Sequence, residues 1–281
     1  MDEVDALITM ALREDSGDGD ITTASILKVP LKATAHLVAK EELVLAGSKV
    51  WGRVYQTVDP ELKVIIHYED GETIAQGSII GEMRGDLASM LKGERVALNF
   101  LQRLSGVATF TRMFVMKAKP YPVRILDTRK TTPGWRVLEK YAVKMGGGEN
   151  HRMGLFDAVL LKDNHIRAAG GIREAVRRVR SSLPSGFTIE VETGSVEEVK
   201  EALESGAGTI MLDNMSMEMM RGAVALVNKR ALLEASGNIT LTNVQEVAAT
   251  GVDMISIGAL THSAPAADIS LKVVECCEVS D

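Results

Sequence analysis

Cysteine is almost missing from this sequence: there are two residues in 281, the adjacent Cys276 and Cys277. Neighbouring cysteines make a poor structural bridge, and no CxxC or Cys/His metal spacing exists, so neither a disulfide scaffold nor a zinc module is expected. A reducing compartment, the cytoplasm, fits best. Aromatic residues make up only 4% of the chain, which leaves the core to Val, Ile, Leu, Ala and Met. No segment approaches the roughly 20 apolar residues that span a bilayer. The opening MDEVDALITMALRED is acidic and amphipathic and lacks the basic start of a signal peptide. Positive charge is in deficit as well: the formal charge is −6, which argues against general binding to nucleic acid or anionic membrane. No G-x-G-x-x-G follows a strand-like run, so a dinucleotide site has no support. A convincing Ser-His-Asp or Cys-His set is lacking too.

Against that acidic background one stretch is basic. Between Arg124 and Arg152 lie seven Lys/Arg and three Asp/Glu, a net of +4, so the remainder carries −10. A cationic island in an acidic protein fits either a solvated helix face or a small anionic ligand held locally.

The chain has two textures. From about residue 31 to 86, short strand-like pieces (ATAHLVAK, LKVIIHYE, SIIGEMRG) alternate with Gly-containing breaks, and Ser48–Val58 reads as a helix. Residues 87–104 place Leu91, Val96, Leu98, Leu101 and Leu104 at helical spacing, with Arg95 in the middle as an exposed helix arginine. From about 123 onward come six apolar runs: VRILD, FDAVLLK, FTIEVE, GTIMLD, ALLE and DMISIG. The segments between them include helix-like 171–182, 195–205 and 216–229. Short runs buried on both faces and separated by helices mark parallel βαβ units. The fold class is therefore α/β: an N-terminal α+β domain over 1–106, then an incomplete (β/α) barrel over 107–266, with the tail 267–281 packing back on the first domain.

Five of the six runs end in, or lead directly to, a charged group. VRILD reaches Asp127, Arg129 and Lys130; FDAVLLK ends at Lys162; FTIEVE carries Glu190 and Glu192 at same-parity positions; GTIMLD ends at Asp213; ALLE ends at Glu234. In barrels the carboxyl ends of the strands share one rim, and that rim holds the active site. Arg129, Lys130, His151, Arg152 and Lys162 are expected to line a cationic pocket. Glu192 and Asp213 suit a hard divalent cation such as Mg²⁺. The turns Ser236-Gly237 and Gly258-Ala259 offer backbone N–H groups to a phosphate. His151, His165 and His262 lie beside rim segments without an obvious nucleophile, which favours hydrogen bonding over general base work.

Several long motifs run in order through the chain: REDSGDGDITT (13–23), GERVALNFLQRLSGVAT (93–109), DTRKTTPGWRVLEKYAVKMGGGENHR (127–152), LLKDNH (160–165), EVE (190–192), LDN (212–214), EASGNI (234–239) and TGVDMISIGALTHS (250–263). Together they make the sequence resemble the quinolinate phosphoribosyltransferases almost end to end. The resemblance implies transfer of the phosphoribosyl group of 5-phosphoribosyl 1-diphosphate to quinolinate with decarboxylation. The products are nicotinate mononucleotide, diphosphate and CO2, and the step feeds NAD synthesis. It implies a homodimer or higher homo-oligomer, with Arg95 lent by the neighbouring subunit in place of the exposed-arginine reading. Arg129, Lys130, His151, Arg152 and Lys162 resemble the quinolinate-binding set. Glu192 and Asp213 resemble the residues serving metal and ribose. The turns at Ser236, Gly237 and Asn238 and at Gly258 and Ala259 resemble the 5′-phosphate loops. Lys130, Lys162, Glu192 and Asp213 are the expected catalytic set.

One departure stands out: the family commonly has a second glycine where this chain has Asn238, a residue that tolerates left-handed backbone angles. The chemistry agrees with the residue pattern. Quinolinate is a planar dicarboxylate that needs fixed cations, and its ring nitrogen is already a nucleophile. Three rivals are a paralogue acting on nicotinate or another acceptor, a Schiff-base aldolase using Lys162, and a non-catalytic sensor.

Overall fold

The computed structural model describes residues 3–184 and 186–278. The chain divides into two compact units, one of Met1–Phe110, Pro133–Gly147 and Ala264–Asp281, the other of Thr111–Thr132 and Gly148–Ser263. Residues 133–147, within the range expected for the barrel, group with the first unit. No helix among the described residues is long and apolar enough to cross a membrane.

The first unit opens with α1 (Glu3–Ser16) and α2 (Ile21–Ile26), followed by β1 (Leu31–Ala39), β2 (Leu43–Val44), α3 (Ser48–Val58), β3 (Lys63–Ile66), β4 (Thr73–Ile74), β5 (Ile79–Asp86) and α4 (Leu87–Ala118). Three of these strands join the C-terminal β12 (Ile269–Glu278) in an antiparallel sheet of order β12-β1-β5-β3. The alternation of β1 sets Ala33, Ala35, Leu37 and Ala39 on the buried face. Asp20 starts α2 by accepting the backbone N–H groups of Thr22 and Thr23. α3 buries Val50, Trp51, Val54 and Tyr55 as one stripe, and the Trp51 and Tyr55 rings meet edge to face at 5.1 Å.

α4 runs past the Ser105-Gly106 pair at which the periodicity alone suggests an end. Packing explains the glycine inside it. A Cβ on Gly106 would lie 2.0 Å from the carbonyl oxygen of Pro265 and 3.0 Å from Ala266 Cα, so the helix and the chain leading to β12 touch backbone to backbone. Gln102 ties the same two segments by donating to Ile269 O at 2.7 Å and accepting from Ala267 N–H at 2.9 Å. Alanine at 106 favours a helix intrinsically by about 1 kcal/mol, yet the clash is with backbone that cannot rotate away. Gly106→Ala is therefore expected to destabilise the unit by roughly 1–3 kcal/mol, seen as a lower midpoint in thermal unfolding.

The second unit contains β6 (Arg124–Leu126), β7 (Val159–Leu161), β8 (Ile189–Thr193), β9 (Thr209–Asp213), β10 (Leu232–Ser236) and β11 (Met254–Ser256). α5 (Arg136–Met145), between β6 and β7 in sequence, packs with the first unit. The other helices are α6 (Asp163–Ala169), α7 (Ile172–Ser182), α8 (Val196–Glu204), α9 (Met217–Val227), α10 (Val244–Ala248) and α11 (Ala259–His262). All strand pairs are parallel, in the order β6-β11-β10-β9-β8-β7. The two outer strands do not pair with each other among the described residues, so the barrel is incomplete, as the six apolar runs suggest. Every strand is followed by helix, so all six carboxyl ends face the same rim.

Candidate active site

Each strand delivers its next residues to one cavity of about 730 Å³. β6 leads to Thr128, Arg129 and Lys130; β7 to Lys162; β8 carries Glu192; β9 ends at Asp213 with Asn214 following; β10 ends at Ser236, ahead of Gly237 and Asn238; β11 leads to Gly258 and Ala259. His151 and Arg152 come from no strand. Their segment runs alongside β6, with Glu149 bridged in parallel to Leu126 and with Asp127 N–H donating to Glu149 O at 3.1 Å. The fully buried Asp127 then accepts His151 N–H at 2.9 Å. Every site residue expected from the sequence lines this cavity except Arg95, which is exposed on α4 in the first unit.

The walls are held by backbone and by short side-chain links. Lys130 N–H donates to Thr128 Oγ1 at 3.0 Å, and its carbonyl accepts Thr261 Oγ1–H at 2.7 Å. Arg152 Nη1 donates to Ala158 O at 3.2 Å. Lys162 sits at the N-terminal boundary of α6, where its backbone N–H donates to His165 Nδ1 at 3.0 Å. That contact makes His165 a helix cap. On the opposite side, Gly237 has φ +93°, and a Cβ there would come within 2.2 Å of Asn214 Oδ1. Asn238 adopts φ +53° and donates from Nδ2 to Asn214 Oδ1 at 2.9 Å, while Asn214 Nδ2 donates to Asp213 Oδ2 at 3.0 Å. The asparagine that replaces the family's common glycine thus takes the left-handed bend and ties the loop to Asp213 through one amide.

The electrostatics are mixed by design of the rim. Burial, and then the charge of Arg129, pull the Arg152 guanidinium down from its ordinary value. Two guanidinium groups are thus held close enough to repel, an arrangement that an anion relieves. Burial also raises the Glu192 carboxyl; Lys162 opposes the rise, and Asp213 adds to it. Lys162 Nζ stands 3.5 Å from Glu192 Oε2. Neighbouring carboxylates beside an open cavity are the oxygen donors that a hard divalent cation takes.

Two carboxylates sit differently from the pattern expected. Glu234 does not end its strand: β10 continues to Ser236, and Glu234 is 1% exposed inside the barrel. Glu190, two residues before Glu192 on β8 and of the same parity, is 8% exposed. Burial first, and then the charge of Glu190, push the Glu234 carboxyl up to about 7. Thr128, Asn214, Thr240, Ser256 and His262 also line the cavity; Thr128, Asn214, Ser256 and His262 fall inside the motifs quoted above, and Thr240 directly follows one, yet none of the five is among the site residues expected from the sequence.

An incomplete α/β barrel with clustered cations, two rim carboxylates and small-residue turns defines a site for anionic substrates. Comparison with known proteins narrows the class. Residues 20–105 match the N-terminal domain of quinolinate phosphoribosyl transferase and residues 107–272 its C-terminal domain. A probable carboxylating nicotinate-nucleotide pyrophosphorylase from Synechocystis sp. is 46% identical over 274 residues, covering 96% of this chain and 92% of that protein. The decarboxylating quinolinate phosphoribosyltransferase 2 of Nicotiana glauca is 44% identical, covering 95% of this chain and 81% of that one. Among solved structures, the nicotinate-nucleotide pyrophosphorylase from Francisella tularensis superposes with a TM-score of 0.93 at 41% identity over 96% of each chain. The chain belongs to the quinolinate phosphoribosyltransferase family.

Proposed function

We propose that the rim cavity joins quinolinate to 5-phosphoribosyl 1-diphosphate and releases diphosphate, CO2 and nicotinate mononucleotide. The observation that carries this reading is the convergence of Arg129, Lys130, Arg152 and Lys162 from separate segments on one cavity that also holds Glu192 and Asp213. Family membership supports it. A planar dicarboxylate needs several cations in fixed positions, and guanidinium groups clamp carboxylates with paired hydrogen bonds. Arg95 of a neighbouring subunit completes the set in a homodimer.

With quinolinate so held, its ring nitrogen attacks the anomeric carbon of the ribosyl group. The nitrogen–carbon bond forms as the bond to diphosphate oxygen breaks, with both electrons leaving on diphosphate. Glu192 and Asp213 face the positive charge that develops on the ribosyl carbon, and Lys162 stays close to Glu192. The 5′-phosphate rests on the backbone N–H groups of the turns at Ser236–Asn238 and Gly258-Ala259. Glu192 and Asp213 are also the residues that would hold Mg²⁺, which supplies charge neutralisation to the leaving diphosphate. The quaternised ring nitrogen then draws the electron pair of the adjacent carbon–carboxylate bond; CO2 leaves, and the ring carbon takes a proton. Exposed, unbridged Cys276 and Cys277 fit a reducing compartment such as the cytoplasm.

The test is incubation with quinolinate, 5-phosphoribosyl 1-diphosphate and Mg²⁺ while nicotinate mononucleotide is followed, with nicotinate as the parallel acceptor. Product from quinolinate alone is the expected result; product from nicotinate alone moves the protein to the monocarboxylate paralogues.

A further inference from the structure

Under the cation wall lies a buried cluster that the reaction as described does not use. His151 Nε2 is 3.1 Å from Glu190 Oε2 and 3.6 Å from Glu234 Oε1. Together the three residues offer ligand atoms within 4.8 Å of one another, the arrangement of a metal centre. The other ring nitrogen argues against that use. His151 Nδ1 accepts the backbone N–H of Arg152 at 2.8 Å, so it carries no proton. The proton of a neutral ring then sits on Nε2, aimed at the two carboxylates, and a protonated nitrogen is a donor rather than a ligand. Both ring nitrogens face partners inside the protein, although His151 also lines the cavity.

We propose that Glu190 is a positioning residue: through His151 it fixes the turn that presents the Arg152 guanidinium to quinolinate. The inference rests on the function proposed above. The chain of contacts is continuous. Glu190 Oε2 faces Nε2 across 3.1 Å and so favours the proton there; Nδ1 accepts Arg152 N–H; Asp127 accepts His151 N–H from the other side; and Arg152 Nη1 donates to Ala158 O. Outer groups that orient a ring through its second nitrogen are a general device for fixing the group beyond it. The arrangement gives His151 an internal task beside its place in the cavity lining, where the resemblance implies a quinolinate contact.

A double-mutant cycle on the full chain reads this coupling. Glu190→Ala should raise the KM for quinolinate by about tenfold or more while the KM for 5-phosphoribosyl 1-diphosphate stays within about twofold. Glu190→Gln should recover most of the loss, because its amide oxygen still accepts from Nε2–H. In a His151→Ala background, Glu190→Ala should add less than about twofold. Additive losses, or equal losses toward both substrates, overturn the proposal. A second readout needs neither turnover nor quinolinate. Long-range proton–nitrogen NMR correlations should report the Nε2–H tautomer for His151 in the wild type and in the soluble Glu190→Gln variant; an Nδ1–H tautomer overturns the proposal. If the wild type makes no product from quinolinate, the function fails, and the tautomer still decides the positioning. Stoichiometric Zn²⁺ uptake that Glu190→Gln abolishes and Glu192→Gln leaves intact would show a metal centre and overturn it as well.

Discussion

Lys162→Ala should lower kcat/KM for quinolinate by about two to four orders of magnitude, a loss of roughly 3–5 kcal/mol of transition-state stabilisation. The argument starts from where the side chain stands. Lys162 follows directly on β7, lines the cavity, and holds its ammonium 3.5 Å from Glu192 Oε2. Removing it leaves ligand charge unpaired and strips Glu192 of the cation that opposes its raised carboxyl value. The fold should not respond. The cap that starts α6 uses the backbone N–H of Lys162 with His165 Nδ1, which alanine retains. Thermal unfolding should therefore be unchanged while activity falls. Lys162→Arg should restore little, since a planar fork does not replace a compact ammonium at the same spot. Near-normal kinetics in Lys162→Ala would remove the residue from the site.

The parallel strands were legible because strands buried on both faces read as short, unbroken apolar runs, and the rim followed from which residues end them. Arg129, Lys130, Lys162, Glu192 and Asp213 could be gathered from scattered positions by that rule alone, and they line one cavity. The rest depends on information that periodicity does not carry. Two-residue strands such as β2 and β4 are too short to show a period. Gly106 looks like a helix end, but it lies inside α4 and answers to the backbone of Pro265 more than a hundred residues away. Glu234 looked like a strand end because the polar-tolerant Ala235-Ser236 pair follows it, whereas pairing with β9 extends β10 to Ser236. The approach of Glu190 and Glu234 to one histidine depends on register. Glu190 is opposite Thr209 and Glu234 is opposite Met211, on either side of β9, and no local pattern reports that convergence.

That convergence has a thermodynamic cost with a definite sign. The Glu234 carboxyl has an ordinary value of 4.5 and is raised to about 7 in the folded chain. Burial is the largest cause and the charge of Glu190 the next, while His151 and the charge of Arg124 act in the opposite direction. Between these two values the folded chain keeps a proton that the unfolded chain has lost. Stability from this group is therefore fully present below about pH 4.5 and is lost as pH rises through about 7, a loss on the order of 3 kcal/mol. Glu234→Gln removes the ionisation and keeps the size. At pH 8 the variant should be more stable than the wild type by up to about 3 kcal/mol, or some 5–10 °C in unfolding midpoint. At pH 4.5 the gap should close, because both chains then carry a neutral side chain there. Unfolding midpoints measured across pH 4.5 to 8 for the two proteins give the comparison directly. A gap that stays constant with pH would mean that Glu234 does not ionise inside the barrel, and a gap that widens toward low pH would reverse the sign of the argument. The same substitution also removes the principal carboxylate facing Glu190, so a protein stabilised at pH 8 yet weakened toward quinolinate would show that the buried acid pair is kept for the pocket above it at the expense of the fold.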